Sequence, residues 1–169
     1  IREVPDPSLD WAPMQEDIHP GGDLALIVPG GAIHRPRKRW PVERYAGLAS
    51  NLASAGMRPV LVGNVEDSSV IAAVTERVDT AVNLSGRTSL LQLAGLCRRA
   101  QLAVGNDTGP MHMAVTAGVP SVVLYSNESD PRLCGQRGPA VEFLRCRELE
   151  DLSLNEVTAA VTALTIRSS

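Results

Sequence analysis

Aromatic residues are scarce in this chain, with one Phe, two Tyr and two Trp among 169 residues. Domains that hold single-stranded nucleic acid stack bases on exposed aromatic faces, and this chain has few to offer. A basic excess is missing too. Sixteen Lys and Arg against nineteen Asp and Glu leave a formal charge of −3, the reverse of the positive footprint that attracts phosphate backbones, so no nucleic-acid partner is expected. The three cysteines, Cys97, Cys134 and Cys146, are odd in number, scattered and without CxxC spacing. That excludes a disulfide framework and fits reduced thiols in a cytoplasmic protein. No apolar run approaches the ~20 residues that span a bilayer, and no basic stretch followed by an apolar segment opens the chain. No His/Cys cluster has metal-ligand spacing and no Asp-x-Asp pair occurs, so no metal site is expected.

What is present is globular composition: 44% hydrophobic and 21% charged residues. A domain of this length buries roughly 70% of its unfolded surface and needs no staple. The chain opens at Ile1 and passes Pro5, Pro7, Pro13 and Pro20 before any periodic apolar pattern. Residues 1–22 therefore read as a linker, residues 23–169 as one domain, and the whole as a piece of a longer protein.

From residue 23 onward, short apolar runs alternate with helical patterns. The continuous apolar run at 24–28 suits a strand buried on both faces, and further strands are predicted at 59–63, 80–83, 102–105, 120–125 and 141–144. Between them Tyr45, Leu48, Ala49 and Leu52 repeat at helical spacing after Pro41. Further helices are predicted at roughly 68–78, after a cap at Thr88 or Ser89, from Gly109-Pro110 to Gly118, and at 154–164. This alternation predicts an α/β, Rossmann-like three-layer sandwich with a parallel sheet. In such sheets ligands bind beyond the carboxyl ends of the strands. The polar clusters of this sequence, at 29–40, 63–67, 84–89, 105–112 and 126–139, each follow a strand.

The most informative cluster is Gly105-Asn106-Asp107-Thr108-Gly109-Pro110-Met111-His112. A strand enters a tight turn and then a helix, where free amides at Gly109, Met111 and His112 together with the helix dipole make an anion site. Thr108 offers a hydroxyl, Asp107 an acceptor for sugar hydroxyls, and His112 an imidazole donor in the first turn. Capping of the helix by Asp107 or Thr108 is the plainer alternative. Gly30-Gly31 precede five cations, Arg35, Arg37, Lys38, Arg39 and Arg44, against the single acid Glu43. A flexible backbone beside Lys and Arg suits a diphosphate, although a charge run also suits a solvated surface. The sequence carries no GxxxxGK[ST], no strand-borne GxGxxG and no GxSxG. Glu66, just past the second strand, stands where an acid accepts ribose hydroxyls, with Asp67 or Ser68 as a helix cap beside it.

Taken in order, these segments resemble glycosyltransferase family 9, the lipopolysaccharide heptosyltransferases. The matching residues are Pro29-Gly30-Gly31, Lys38-Arg39-Trp40-Pro41 with Arg44-Tyr45-Ala46, Val62-Gly63 with Glu66, Asn83-Leu84-Ser85-Gly86 with Thr88-Ser89-Leu90, the run from Asn106 to His112, and Gly118-Val119-Pro120. The resemblance implies the carboxyl-terminal, donor-binding half of a GT-B fold, which transfers a heptose with inversion from ADP-heptose to the lipopolysaccharide inner core. It implies Lys38 at the donor diphosphate, Thr108 with Lys38 stabilising the leaving group, and Gly30, Asp107, Thr108, Gly109 and His112 around phosphates and sugar. Glu66 falls near the ribose. No cofactor is implied beyond the nucleotide sugar. The acceptor site and the general base are expected in an amino-terminal half outside this chain, leaving the isolated chain inactive. The implied location is cytoplasmic, peripheral on the inner face of the inner membrane. One departure stands out: Ser126-Asn127-Glu128-Ser129-Asp130-Pro131 replaces the family's Gly-Pro-Thr-like turn and puts Glu128 near an expected diphosphate. Rival readings are half of a nonhydrolysing nucleotide-sugar epimerase and a non-catalytic nucleotide-binding module.

Overall fold

The computed structural model describes residues 9, 18, 20–31 and 39–168. Six parallel strands form one sheet in the order β3-β2-β1-β4-β5-β6: β1 Leu24–Val28, β2 Arg58–Leu61, β3 Val82–Asn83, β4 Ala100–Asn106, β5 Ser121–Tyr125 and β6 Val141–Arg145. The helices are α1 Val42–Ser54, α2 Ser68–Thr75, α3 Leu90–Arg99, α4 Gly109–Thr116, α5 Pro131–Cys134 and α6 Leu154–Ser168.

β1 lies at the centre, paired with β2 on one side and β4 on the other. Its five residues are all buried, which is why it reads as an unbroken apolar run. Side chains alternate across a strand, so Ala25 and Ile27 enter one core while Leu24, Leu26 and Val28 enter another. The first core is closed by Tyr45 and Leu48 of α1, Ile71 and Val74 of α2 and Val157 and Val161 of α6. The second is closed by Leu93 and Leu96 of α3 and Met111 and Ala114 of α4. Helices thus cover both faces of the sheet in the predicted three layers. The α1 entrance is pinned from a distance: Trp40 Nε1 donates to the Leu152 carbonyl at 2.7 Å, and Arg44 Nη1 donates to the Glu150 and Leu152 carbonyls at 2.5 and 2.6 Å.

The elements differ from the sequence reading mainly at their ends. β4 begins immediately after α3 and is seven residues long, β3 is reduced to two, and α6 continues to Ser168. Ser89 rather than Thr88 caps α3, in a reciprocal box with Gln92. A short helix for which no prediction was made, α5, begins at the last residue of the segment read as a turn, Pro131. Asp130 caps it through the Arg132 N–H, and Pro131 takes the first helical position. Of the segment read as a linker, Ile18 packs against the second core and its carbonyl accepts from Arg99 Nη2 at 3.1 Å.

Cys97 is fully buried on α3, and burial pushes its thiol up to about 12, whereas Cys134 is exposed. A thiol reagent added to the folded chain at pH 8 is expected to modify Cys134 and to spare Cys97 until denaturant is present. Peptide mass spectrometry reads the difference, and prompt modification of Cys97 would contradict this packing.

Candidate functional site

The strand order reverses between β1 and β4. The chain leaves β1 toward β2 and β3 and then returns to β4 on the other side. Loops leaving the carboxyl ends of β1 and β4 therefore diverge and leave a crevice. A cleft of about 250 Å³ lies there, lined by Gly30 and Gly31 after β1, by Gly63, Asn64, Glu66 and Asp67 after β2, and by Thr108, Gly109 and Pro110 at the start of α4. Four sequence-predicted site residues, Gly30, Glu66, Thr108 and Gly109, thus meet at one crevice although 79 positions separate the first from the last.

The α4 end differs in detail from expectation. Thr108 precedes the helix in extended conformation, and its side chain makes no cap bond. Its hydroxyl donates instead to the Asn106 carbonyl at 3.3 Å. The Met111 and His112 amides, expected to be free, turn back to the Thr108 carbonyl at 3.1 and 3.3 Å. Gly109 keeps the N–H of the first helical position, which has no intrahelical acceptor. This glycine does not adopt a left-handed backbone. A Cβ placed on it would meet nothing within 4 Å, so its contribution is open space where a ligand can approach the helix end.

The β2 side is built around Asp67. Asp67 stands at the N-cap position of α2 without a side-chain cap bond, and Asn64 caps the 3-10 turn before it: Asn64 Oδ1 accepts the Asp67 N–H at 3.0 Å and Asp67 Oδ2 accepts the Asn64 N–H at 3.1 Å. Asp67 is buried, and a Cβ on Gly30 would lie 2.6 Å from its Oδ2. Gly30 is therefore a glycine because the Asp67 carboxylate packs against its backbone. Glu66, next to it, stays exposed on the rim. Arg39 Nη2 donates to the Gly31 carbonyl at 2.7 Å and lies 3.8 Å from Asp67 Oδ1.

Asn106 is a site-building residue to which the sequence reading assigned no role. It is buried at the end of β4, its Nδ2 donates to the Pro29 and Gly30 carbonyls at 3.1 and 3.0 Å, and its Oδ1 accepts from the Tyr45 hydroxyl at 2.7 Å. One side chain thus ties the ends of β1 and β4 together and sets the position of Gly30. An asparagine closing an apolar strand was the available signal, but its partners lie more than sixty residues away.

Asp107 and His112 belong to a neighbouring cluster and do not line the cleft. Asp107 Oδ1 accepts from the Tyr125 hydroxyl at 3.1 Å and from Gln136 Nε2 at 3.2 Å, and His112 Nε2 lies 3.7 Å from it. Burial, and then the charge of Asp107, hold the Tyr125 phenol well above its ordinary value, so it keeps its proton throughout the neutral range. Lys38, with His34, Arg35 and Arg37, lies outside the described residues. The cationic loop is smaller than its sequence suggests, because Arg44 is committed to the carbonyls of 150 and 152. Among the described residues, no group of three or more His, Cys, Asp and Glu could hold a metal ion, and no helix is long and apolar enough to cross a membrane.

The profile of glycosyltransferase family 9 (heptosyltransferase) matches residues 4–151. Lipopolysaccharide heptosyltransferase 2 of Escherichia coli (strain K12) is 38% identical over 104 residues, covering 59% of this chain and 30% of that protein. The solved E. coli ADP-heptose lps heptosyltransferase II superposes with a TM-score of 0.80 at 26% identity, over 98% of this chain and 53% of that one. E. coli heptosyltransferase WaaC, solved with ADP, superposes with a TM-score of 0.77 at 26% identity over 84% of this chain and 44% of that one. The chain therefore spans about a third of the length of the curated relative and about half of the solved chains. With the profile running through every segment that lines the cleft, this chain belongs to glycosyltransferase family 9.

Proposed function

We propose that this chain is the donor-binding half of a GT-B glycosyltransferase that transfers a heptose, with inversion, from ADP-heptose to the lipopolysaccharide inner core. The observation that carries the reading is the convergence of Gly30, Glu66, Thr108 and Gly109 on one crevice at the strand-order switch, with a helix N-terminus opening into it. The similarity to an enzyme solved with ADP supports the nucleotide. Residues 23–169 are the donor domain and residues 1–22 the linker to an amino-terminal domain that carries the acceptor site. The reaction belongs in the cytoplasm, at the inner face of the inner membrane.

Each residue has a role that its chemistry allows. The Gly109 amide, the α4 dipole and the Thr108 hydroxyl take the diphosphate, whose charge the Lys38 ammonium offsets. Glu66 accepts from ribose hydroxyls. Asp107 and His112 face the sugar and its phosphate. During transfer the acceptor hydroxyl attacks the anomeric carbon, the bond from that carbon to the diphosphate oxygen breaks, and negative charge grows on the departing ADP. Lys38 and Thr108 stabilise that charge. The proton released by the acceptor goes to a carboxylate base in the other domain. The nucleotide sugar is the only small molecule this chemistry requires.

Calorimetric titration with ADP, UDP and GDP tests the reading. ADP is expected to bind in preference to the others, and Lys38→Ala to weaken it by about 1.5–3 kcal/mol, the range for a hydrogen bond to a charged group. The chain alone is expected to bind donor and transfer nothing. Preference for UDP, or heptosyl transfer by this chain alone, would defeat the assignment.

A further inference from the structure

The segment 126–140, where the sequence departs from the family's usual turn, sends the amide of Gln136 inward. Gln136 is 4% exposed and meets the fully buried Tyr125 at the end of β5. Its Oε1 accepts from the Tyr125 hydroxyl at 2.7 Å, its Nε2 donates to Asp107 Oδ1 at 3.2 Å, and the hydroxyl lies 3.1 Å from that same oxygen. Three side chains from two strand ends and a loop close a triangle. The hydroxyl has one proton to share between two acceptors, so the carboxylate oxygen is held by one full donor and one shared donor.

Packing makes the triangle stiff. The Tyr125 ring stands edge-on to Phe143 at 5.5 Å. Gly135 lets the loop fold back: a Cβ there would fall 2.2 Å from the Pro131 carbonyl oxygen, while one on Gly138 would fall 2.6 Å from Val115 of α4. The first approach folds the segment on itself and the second presses it onto α4, and together they limit the freedom of Gln136 to swing away.

Asp107 is followed directly by Thr108 and Gly109, which line the cleft. An ionised carboxylate only accepts hydrogen bonds. It repels a phosphate and attracts the hydroxyls of a sugar, so its orientation matters to the sugar end of a donor and little to the nucleotide. We infer that Tyr125 and Gln136 are positioning residues that set the Asp107 carboxylate for the sugar hydroxyls of the donor, and that they thereby favour a nucleotide sugar over the bare nucleotide. The inference rests on the donor-site reading above.

The test compares ADP with ADP-heptose by calorimetry on the wild-type chain, Tyr125→Phe, Gln136→Met, Asp107→Asn and the double variant Asp107→Asn/Tyr125→Phe, with thermal unfolding of each. Removing either donor is expected to weaken ADP-heptose by about tenfold, as loss of a hydrogen bond to a charged group does, and to leave ADP within about twofold. Asp107→Asn is expected to weaken ADP-heptose while ADP holds or tightens, and in that background Tyr125→Phe should add nothing, because the coupling runs through the carboxylate. A purely structural triangle predicts something else: a lower unfolding temperature with both ligands weakened equally, or neither. That result overturns the inference and leaves the donor site standing. A wild-type chain that binds neither ligand overturns the donor-site reading and the inference with it.

Discussion

Gly105→Ala is expected to lower stability by about 2–3 kcal/mol, the upper part of the range for overpacking a core, and to lower the melting temperature by about 5–10 °C for a domain of this size. Gly105 of β4 stands directly opposite Val28 of β1 in the parallel pair. A Cβ at that position would lie 2.5 Å from the Val28 Cβ and 2.6 Å from its carbonyl oxygen. Neither atom is the far end of a flexible side chain, so relief comes only by moving one strand from the other. That separation falls where both strands end and the cleft begins, and ADP affinity should drop with stability. Gly109→Ala is the matched control. Its added methyl meets no protein atom within 4 Å, so the melting temperature should hold while the methyl occupies ligand space and ADP binding weakens. Thermal unfolding and calorimetry on the two variants read the contrast. Equal stability loss in both would show that Gly105 is not the close-approach point.

Asn106→Leu should cost more, about 3–5 kcal/mol. The replacement keeps the branching and the number of side-chain heavy atoms, so the loss is mainly that of the hydrogen bonds. It leaves the Pro29 and Gly30 carbonyls without the Nδ2 donor and the buried Tyr45 hydroxyl without its 2.7 Å acceptor. A buried polar group left without a partner costs about 1–3 kcal/mol, and the three together reach a large fraction of the about 5–15 kcal/mol that holds an ordinary domain folded. Tyr45→Phe removes only one of these bonds and is expected to cost about 1 kcal/mol. Urea unfolding of both variants separates the cases. If Asn106→Leu costs no more than Tyr45→Phe, the asparagine does not clamp the β1 end.

Much of the fold was legible in the residues. A strand buried on both faces favours apolar side chains throughout, and β1 is such a run; β5 is buried along its length too, and its one serine, Ser121, satisfies its hydroxyl on the Val119 carbonyl at 2.7 Å. The start of α4 was legible because Gly109-Pro110 after a polar turn is a local signal, and β1 and α4 bring Gly30, Thr108 and Gly109 to the crevice. At α2 the position was legible and the bonding was not: Asp67 stands at its N-cap position but makes no side-chain cap bond there. The reciprocal bonds run one turn earlier, where Asn64 and Asp67 box the 3-10 turn 65–67 that leads into α2, a pattern that Asn-x-x-Asp spells out.

Local sequence by itself determined the element types, the parallel sheet and the gathering of polar clusters at strand ends, because apolar period, glycine, proline and capping residues act over a few positions. Tertiary structure alone decided which strand ends face each other, and with that every long-range partner. Arg44 reads as one more cation of a phosphate loop, yet it spends its charge on the carbonyls of residues 150 and 152, which α6 brings beside α1. Asp107 reads as an acceptor for sugar hydroxyls or a helix cap, and its protein partners are invisible in the local sequence: Gln136 and Tyr125 hold its Oδ1 because β5 lies next to β4 in the sheet. Asn106 reads as part of a turn, and strand pairing makes it the clamp between residues 76 and 77 positions apart. Hydrogen bonds are short-ranged and directional, so a polar residue acquires its role from whatever the packed sheet sets beside it.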